Sequence, residues 1–487
     1  MSIKQKAIKG VIWSVVQNWG SQAGSLIVFL ILARLLTPEA FGLVALANVF
    51  LAFMEIFIEQ GFTQALIQRH NLDAEHLDTA FWSNLFCGIL LTVVGVILAE
   101  AIASFFDQLQ LAPILRCFSF LFFIKSISHV HQALLTRELA FKVMAVRTLV
   151  AILVGGLVGV IMAFSGFGVW SLVGQQFLFE SVSVLVMWQA VDWRPKFNFS
   201  WQHFRDLFAF GINVIGLKFL KLFNRRSDNL LIGYFLGKVA LGHYAVAYRV
   251  LQVMTQLLVG TSNQVALPTF SKLQTEPEKF RQAFYRVTQF TSLIAFPTFS
   301  GMAILTPELV ISVFGQQWIP SIPVMRILAF SGIIYTFSYF NASAFMAMGK
   351  PSWRLKLTLL EATVSLLAGL VAVRWGIIAV AAAYTLSLYL VFPIGLTAIN
   401  RLIQVPINRY LQQFITPAIA TIIMVSIIFL VKYFLRDIVA LNIILILGTF
   451  FGAIAYILAI RCLSPKLFQY CLDLALTVIS NPKTAKK

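Results

Sequence analysis

Residues 211–236 form an apolar stretch long enough to cross a bilayer, yet they include Lys218, Lys221, Arg225, Arg226 and Asp228. At 100° per residue, Lys218, Lys221 and Arg225 share one helix face. A charged side chain at the bilayer centre costs ~2.5–3.5 kcal/mol on insertion scales. Three cations on one stripe therefore call for a polar interior and an anionic ligand, not for lipid. The chemistry this pattern offers is electrostatic capture of an anion inside the membrane. Arg226 lies off the stripe and is placed to serve Asp228 or lipid headgroups.

Neighbouring runs carry matching polar faces. The run at 240–266 places Arg249, Gln252, Gln256 and Asn263 within ~60° of one another. Asn48, Glu55 and Glu59 cluster within ~40° on the run at 41–66, and Lys125, Ser128, His129 and Gln132 gather on 113–135. Glu55 and Lys125 fall at similar depth and are expected to pair, either as a structural ion pair or as part of a polar cavity. The candidate substrate-binding set is Lys218, Lys221, Arg225, Arg226, Arg249, Gln252, Gln256 and Lys125. Glu180 and Glu361 also sit in apolar runs, but their helices show no companion stripe.

The elements that must position these residues are transmembrane helices. Of 487 residues, 59% are hydrophobic and only 11% charged, where a soluble chain carries about 25% charged residues. The net charge of +18 is dispersed over short loops, which fits membrane topology and not nucleic-acid binding. Cys87, Cys117, Cys462 and Cys471 sit singly in apolar stretches and read as core residues. The start, MSIKQKAIKG followed by a long apolar run, reads as a retained first helix.

Apolar runs near 10–36, 41–66, 79–106, 113–135, 143–164, 167–190, 207–236, 240–266, 284–305, 322–346, 355–374, 376–400, 412–434 and 439–462 give about fourteen spans. With a cytoplasmic N-terminus, the outer connections hold only Arg34, Arg116, Lys238, Arg326, Arg374, Lys432 and Arg436, and the inner segments hold most of the remaining basic residues. Both termini are then expected in the cytoplasm.

The chain also repeats. LLTPEAFGLVALA at 35–47 aligns with FLGKVALGHYAVA at 235–247, an offset of 200 that superimposes Gly42 on Gly242 and Ala47 on Ala247. The expected fold class is an all-α integral membrane protein with two six-helix lobes in pseudo-twofold relation plus two C-terminal helices. The boundaries are 1–190 for the N-lobe, 191–206 for an interfacial connector and 207–400 for the C-lobe. Residues 401–462 form the last two spans, and 463–487 an amphipathic helix with a basic tail. In the connector, Ser200 is expected to cap a short interfacial helix.

Enzyme signatures are absent. There is no GxxxxGK[ST] phosphate loop, no HExxH and no outer loop long enough for a catalytic domain. No metal ligand set is expected.

Several segments resemble the polysaccharide transporters, or Wzx-type flippases, of the multidrug/oligosaccharidyl-lipid/polysaccharide exporter (MOP, MATE-like) superfamily. Leu35-Leu36-Thr37-Pro38-Glu39-Ala40-Phe41-Gly42-Leu43 is similar to that family's opening loop. Leu135-Thr136-Arg137-Glu138-Leu139-Ala140-Phe141-Lys142 resembles its loop between spans 4 and 5, and Gly168-Val169-Trp170-Ser171-Leu172-Val173 its start of span 6. Asp228-Asn229-Leu230-Leu231-Ile232-Gly233, Leu241-Gly242-His243-Tyr244 and Leu267-Pro268-Thr269-Phe270-Ser271 carry the match in the second half. The chain looks most similar to colanic-acid-exporter-like members.

The resemblance implies translocation of undecaprenyl-pyrophosphate-linked oligosaccharide across a bacterial inner membrane by alternating access. It also implies a proton or sodium gradient in place of ATP or any cofactor. Glu55, Glu59 and Asp228 are the acids in position to couple such ions. The expected partners are the polyprenyl-pyrophosphate oligosaccharide, membrane lipids, a polysaccharide polymerase and glycosyltransferases, and not nucleic acid. The rival readings are a cation-coupled multidrug exporter of the same superfamily and a membrane polysaccharide polymerase or ligase.

Overall fold

The computed structural model describes the backbone of residues 3–58, 62–69 and 72–480. Side chains are described within these segments except at 3–12, 14–16, 209–225, 259–265, 336, 339 and 474–480. Every described element is helical: α1 (Ile3–Leu35), α2 (Pro38–Ile58), α3 (Phe62–Gln68), α4 (Ala74–Phe105), α5 (Leu111–Ser126), α6 (His129–Arg137), α7 (Phe141–Phe164), α8 (Val169–Ala190), α9 (Trp201–Phe235), α10 (Gly237–Lys272), α11 (Pro277–Leu309), α12 (Ser321–Ala347), α13 (Pro351–Ala372), α14 (Ile377–Ile403), α15 (Ile407–Leu435), α16 (Leu441–Leu463) and α17 (Pro465–Ser480). A π-helical turn at Val310–Phe314 extends α11.

Twelve of the fourteen apolar runs each fall on one helix, while 41–66 covers α2 and α3 and 113–135 covers α5 and α6. Among the described residues, ten helices are long and apolar enough to cross a membrane, or eleven when the bent pair α5 and α6 counts as one. Three more, α1, α9 and α10, are 33, 35 and 36 residues long, beyond the ~20 that a crossing requires. Outward-facing residues such as Phe86 and Ile97, each 70% exposed, are the apolar surface that lipid covers.

The chain divides into two compact units. The first comprises 1–249 and 358–384, the second 250–357 and 385–487. In the first unit, Gly237 adopts φ +81°, a left-handed conformation that ends α9 and lets α10 start at once. The repeat glycines Gly42 and Gly242 lie here against each other. A Cβ at Gly42 would stand 1.7 Å from the Lys238 carbonyl oxygen, and one at Gly242 would stand 1.8 Å from that of Pro38. Positions 38 and 238 differ by the same offset as 42 and 242, so α2 and α10 cross at a local twofold axis between equivalent residues. Lys238 forms an ion pair with Glu39 beside this crossing and donates to Gln110 at 2.8 Å.

In the second unit, aromatic side chains fill the core. Phe270 stacks on Phe280 at 5.0 Å between centroids, and Phe284 on Tyr410 at 5.9 Å. The inner face of α17 packs Leu467, Phe468 and Cys471 against Leu293, Ala459 and Ile460. This is the amphipathic helix expected after the last span.

Two expectations about local structure need correction. The interfacial helix is not a separate short element. Ser200 does cap it, accepting from the His203 N–H at 3.4 Å, but the helix continues without a break into α9. The preceding strap, 191–200, is tied to α4: Asp78 accepts from the Lys196 N–H at 3.0 Å, and Trp82 Nε1 donates to the Lys196 carbonyl at 2.7 Å.

The second correction concerns the run at 113–135, which is not one straight helix. It bends by 43° between α5 and α6. Ser126 and Ser128 turn their hydroxyls back onto the carbonyls of Phe123 and Lys125, at 2.7 and 2.9 Å. Such back-bonding competes with the helix ladder. The Ile127 carbonyl accepts from the Trp188 indole at 3.2 Å. Trp188→Phe keeps the ring against His131 but removes that donor. It is expected to cost about 1 kcal/mol, read as a lower melting temperature of the purified protein.

Candidate functional site

The polar centre of the first unit is assembled from α1, α2, α5, α7, α8 and the first turns of α10. Lys125 ends α5, where a cation faces the negative end of the helix. Its ammonium bonds the Glu55 carboxylate of α2 and lies 3.1 Å from Glu180 Oε1 of α8. Gln176, one turn before Glu180, donates to that same oxygen at 3.1 Å. The Glu55–Lys125 contact expected from the sequence is therefore present. Lys125, expected among the substrate-binding residues, is held here between two carboxylates.

Gln176 also lines a cleft of about 270 Å³, together with Ser25 of α1, Thr148 of α7, Gln175 and Phe179 of α8, and Arg249 of α10. Arg249 Nη2 donates to Ser25 Oγ at 2.9 Å. Thr148 Oγ1 accepts from Gln17 at 3.3 Å and from Arg147 at 3.4 Å while donating to the Met144 carbonyl. The lining combines amides, hydroxyls, a phenyl ring and a guanidinium that donates to a serine hydroxyl.

Glycines hold the three helices of this cleft close. A Cβ at Gly20 or Gly24 of α1 would stand 3.0 Å from Leu149 or 3.2 Å from Ile152 of α7. One at Gly159 of α7 would stand 2.8 Å from Gln175 Cβ. The start of the Gln175 side chain thus packs against the glycine opposite.

Of the other expected residues, Asp228 is buried at the end of α9, where Oδ2 accepts from the Tyr244 hydroxyl at 2.7 Å and Oδ1 from the Asn229 N–H at 2.8 Å. Arg226 lies two residues before it, half-buried. Gln252 and Gln256 follow Arg249 along α10 but belong to the second unit. The helix α9 runs through Lys218, Lys221 and Arg225, whose side chains lie outside the described residues, as does Glu59. Among the described residues, no group of three His, Cys, Asp or Glu is arranged to hold a metal ion.

The sequence pattern places Glu180 in an apolar run but not at this centre, and it does not single out Arg147 or the Ser21, Gln22 and Ser25 patch. Glu180 has no stripe of its own kind, and its signal was Gln176 at i−4. Arg147 reads as an inner-loop cation, yet it lies inside α7 with Nη1 3.3 Å from the Met187 sulfur. Ser21, Gln22 and Ser25 form a one-turn polar patch on α1 that carries no charge to draw notice.

A family model described as polysaccharide biosynthesis protein matches residues 31–323. The teichuronic acid biosynthesis protein TuaB of Bacillus subtilis (strain 168) is 26% identical over 431 residues, covering 86% of this chain and 88% of the relative. The succinoglycan biosynthesis transport protein ExoT of Rhizobium meliloti (strain 1021) is 29% identical over 328 residues, 67% of this chain and 66% of its own. The lipopolysaccharide biosynthesis protein WzxC of Escherichia coli (strain K12) is 26% identical over 338 residues, 69% and 68%.

Among solved structures, the lipid II flippase MurJ in an inward closed conformation matches with a TM-score of 0.78 at 13% identity, over 94% of this chain and 99% of that one. An inward-facing multidrug resistance MATE family transporter of the MOP superfamily matches at 0.60 and 17% identity, over 80% and 98%. At these identities the likeness is one of fold.

Proposed function

Because the chain belongs to the polysaccharide biosynthesis protein family, we propose that it is a flippase for a polyprenyl-pyrophosphate-linked oligosaccharide. It moves this lipid from the cytoplasmic to the periplasmic leaflet of a bacterial inner membrane by alternating access. The observation that carries the reading is the polar cleft with Arg249 fixed on its wall, set among helices whose outer faces are apolar. Relatives named for polysaccharide biosynthesis transport, and a shared fold with a lipid II flippase, support it.

In this mechanism Lys218, Lys221, Arg225 and Arg249 attract the pyrophosphate. Arg226, Gln252 and Gln256 contact the head as it passes, while the polyprenyl tail stays in lipid. The two six-helix lobes, 1–190 and 207–400, rock about the connector, with both termini cytoplasmic. A proton or sodium gradient drives the cycle without an organic cofactor. Glu55, Glu59 and Asp228 are the coupling acids, and Glu180 joins Glu55 at Lys125. Glycosyltransferases supply the lipid-linked glycan and a polymerase consumes it.

A cationic-drug exporter would need acids where this chain sets Arg249, and a polymerase or ligase would need an outer catalytic loop. The double substitution Lys218→Ala with Lys221→Ala is expected to abolish complementation of a flippase-deficient strain while the protein still reaches the membrane. Normal complementation would remove these lysines from the mechanism.

A further inference from the structure

Resting on that transport reading, we propose that the cleft between α1, α7 and α8 is a subsite for one pyranose ring bearing an anionic group. The ring lies on Phe179, its hydroxyls meet Gln175 and Ser25, and its anion faces Arg249. Size comes first. At about 270 Å³ the cleft falls just under the ~300 Å³ at which drug-sized sites begin, the room that one sugar unit of a glycan needs.

Chemistry comes second. A pyranose presents hydroxyls around its edge and a C–H face, which ask for side-chain amides and hydroxyls beside an aromatic ring. Gln175, Gln176, Ser25 and Phe179 are that set.

The third argument is what these groups already do. Gln176 is committed to Glu180 and Thr148 to its neighbours. The Gln175 amide makes no hydrogen bond among the described residues although it lines the cleft, and Ser25 accepts from Arg249 while keeping its own O–H to donate. Gly159 lets α7 and α8 approach closely at Gln175, since a Cβ there would meet Gln175 Cβ at 2.8 Å. An uncommitted amide beside a guanidinium suits a polar, anionic ligand. The anion is either the phosphate linking the first sugar to its lipid or the carboxylate of a uronic acid.

The experiment is equilibrium dialysis of the full-length protein in lipid nanodiscs against labelled glucose 1-phosphate, glucuronate, glucose and inorganic phosphate. Glucose 1-phosphate or glucuronate is expected to bind at least about tenfold more tightly than glucose or inorganic phosphate, and whichever of the two does so identifies the anion. Gln175→Ala is expected to weaken that ligand about tenfold, the worth of one hydrogen bond, without changing retention of inorganic phosphate. Arg249→Gln is expected to erase the preference for the charged sugar.

If Gln175→Ala does not fold, Gln175→Met keeps the volume, and the same loss is expected. Gly159→Ala, which displaces Gln175, is expected to reproduce it. Equal binding of all four probes, or wild-type sugar binding by the Gln175 variants, overturns the subsite. Translocation by the wild-type protein in proteoliposomes is scored separately, so its absence counts against the transport reading and not against the sugar dialysis.

Discussion

Gly42→Ala is expected to lower the melting temperature of the purified protein more than any single-methyl change in the first unit outside this helix crossing. The added Cβ would stand 1.7 Å from the Lys238 carbonyl oxygen, a backbone atom that no rotamer change can move aside. Overpacking in a tight interior costs about 1–3 kcal/mol and occasionally more, and a backbone collision belongs at the top of that range. Gly242→Ala meets the Pro38 carbonyl at 1.8 Å and is expected to cost the same.

One separation of α2 from α10 relieves both collisions, so the double variant should lose clearly less than the sum of the singles. Gly395→Ala is the control, since its Cβ meets nothing nearer than Leu357 Cδ1 at 3.9 Å. A Gly42→Ala protein that melts with the wild type would rule out the crossing as described.

The second large effect is expected at Lys125. Lys125→Ala leaves Glu55 and Glu180 without their shared cation, and removing one partner of a buried pair costs about 3–5 kcal/mol. Glu55 is 40% exposed at its side chain while Glu180 is 14% exposed, so solvent screens part of the loss and about 3 kcal/mol is the better figure. The second-site change Glu180→Gln removes the stranded charge and keeps the side chain's shape. Lys125→Ala with Glu180→Gln is therefore expected to recover more than half of the lost stability in thermal unfolding. If Glu180→Gln adds to the damage instead, the ion triad does not hold these helices together.

Much of the fold is legible in the sequence because lipid imposes a simple pattern. The apolar runs mark the helices, and Ser200 marks where α9 starts. The connector's fusion to α9 was also readable in hindsight: residues 201–210 contain neither Gly nor Pro, so nothing stops the helix. The bend after Lys125 was harder, because it has no Pro or Gly and depends on two serine hydroxyls and on Trp188 from a distant helix.

At the site, charge was legible and neutrality was not. Glu55 and Lys125 stand out against apolar neighbours, and their pairing follows from depth alone. Gln175 and Ser25 are small polar residues of kinds that also serve as helix-packing groups. Only the glycine-packed frame of α1, α7 and α8 gives them a cleft. The offset of 200 revealed the repeat, yet it did not say that Gly42 would meet Gly242. Periodicity gives which residues are equivalent, and packing decides which of them touch.

Movement of a lipid-linked glycan between leaflets by this protein is read most directly in proteoliposomes. Purified protein is reconstituted with a fluorescent polyprenyl-pyrophosphate oligosaccharide confined to one leaflet, and a proton or sodium gradient is imposed. Gradient-dependent appearance of the glycan on the opposite leaflet is expected, lost in Arg249→Ala liposomes of equal protein content. Glycan that stays on its original leaflet with wild-type protein and an intact gradient would contradict it.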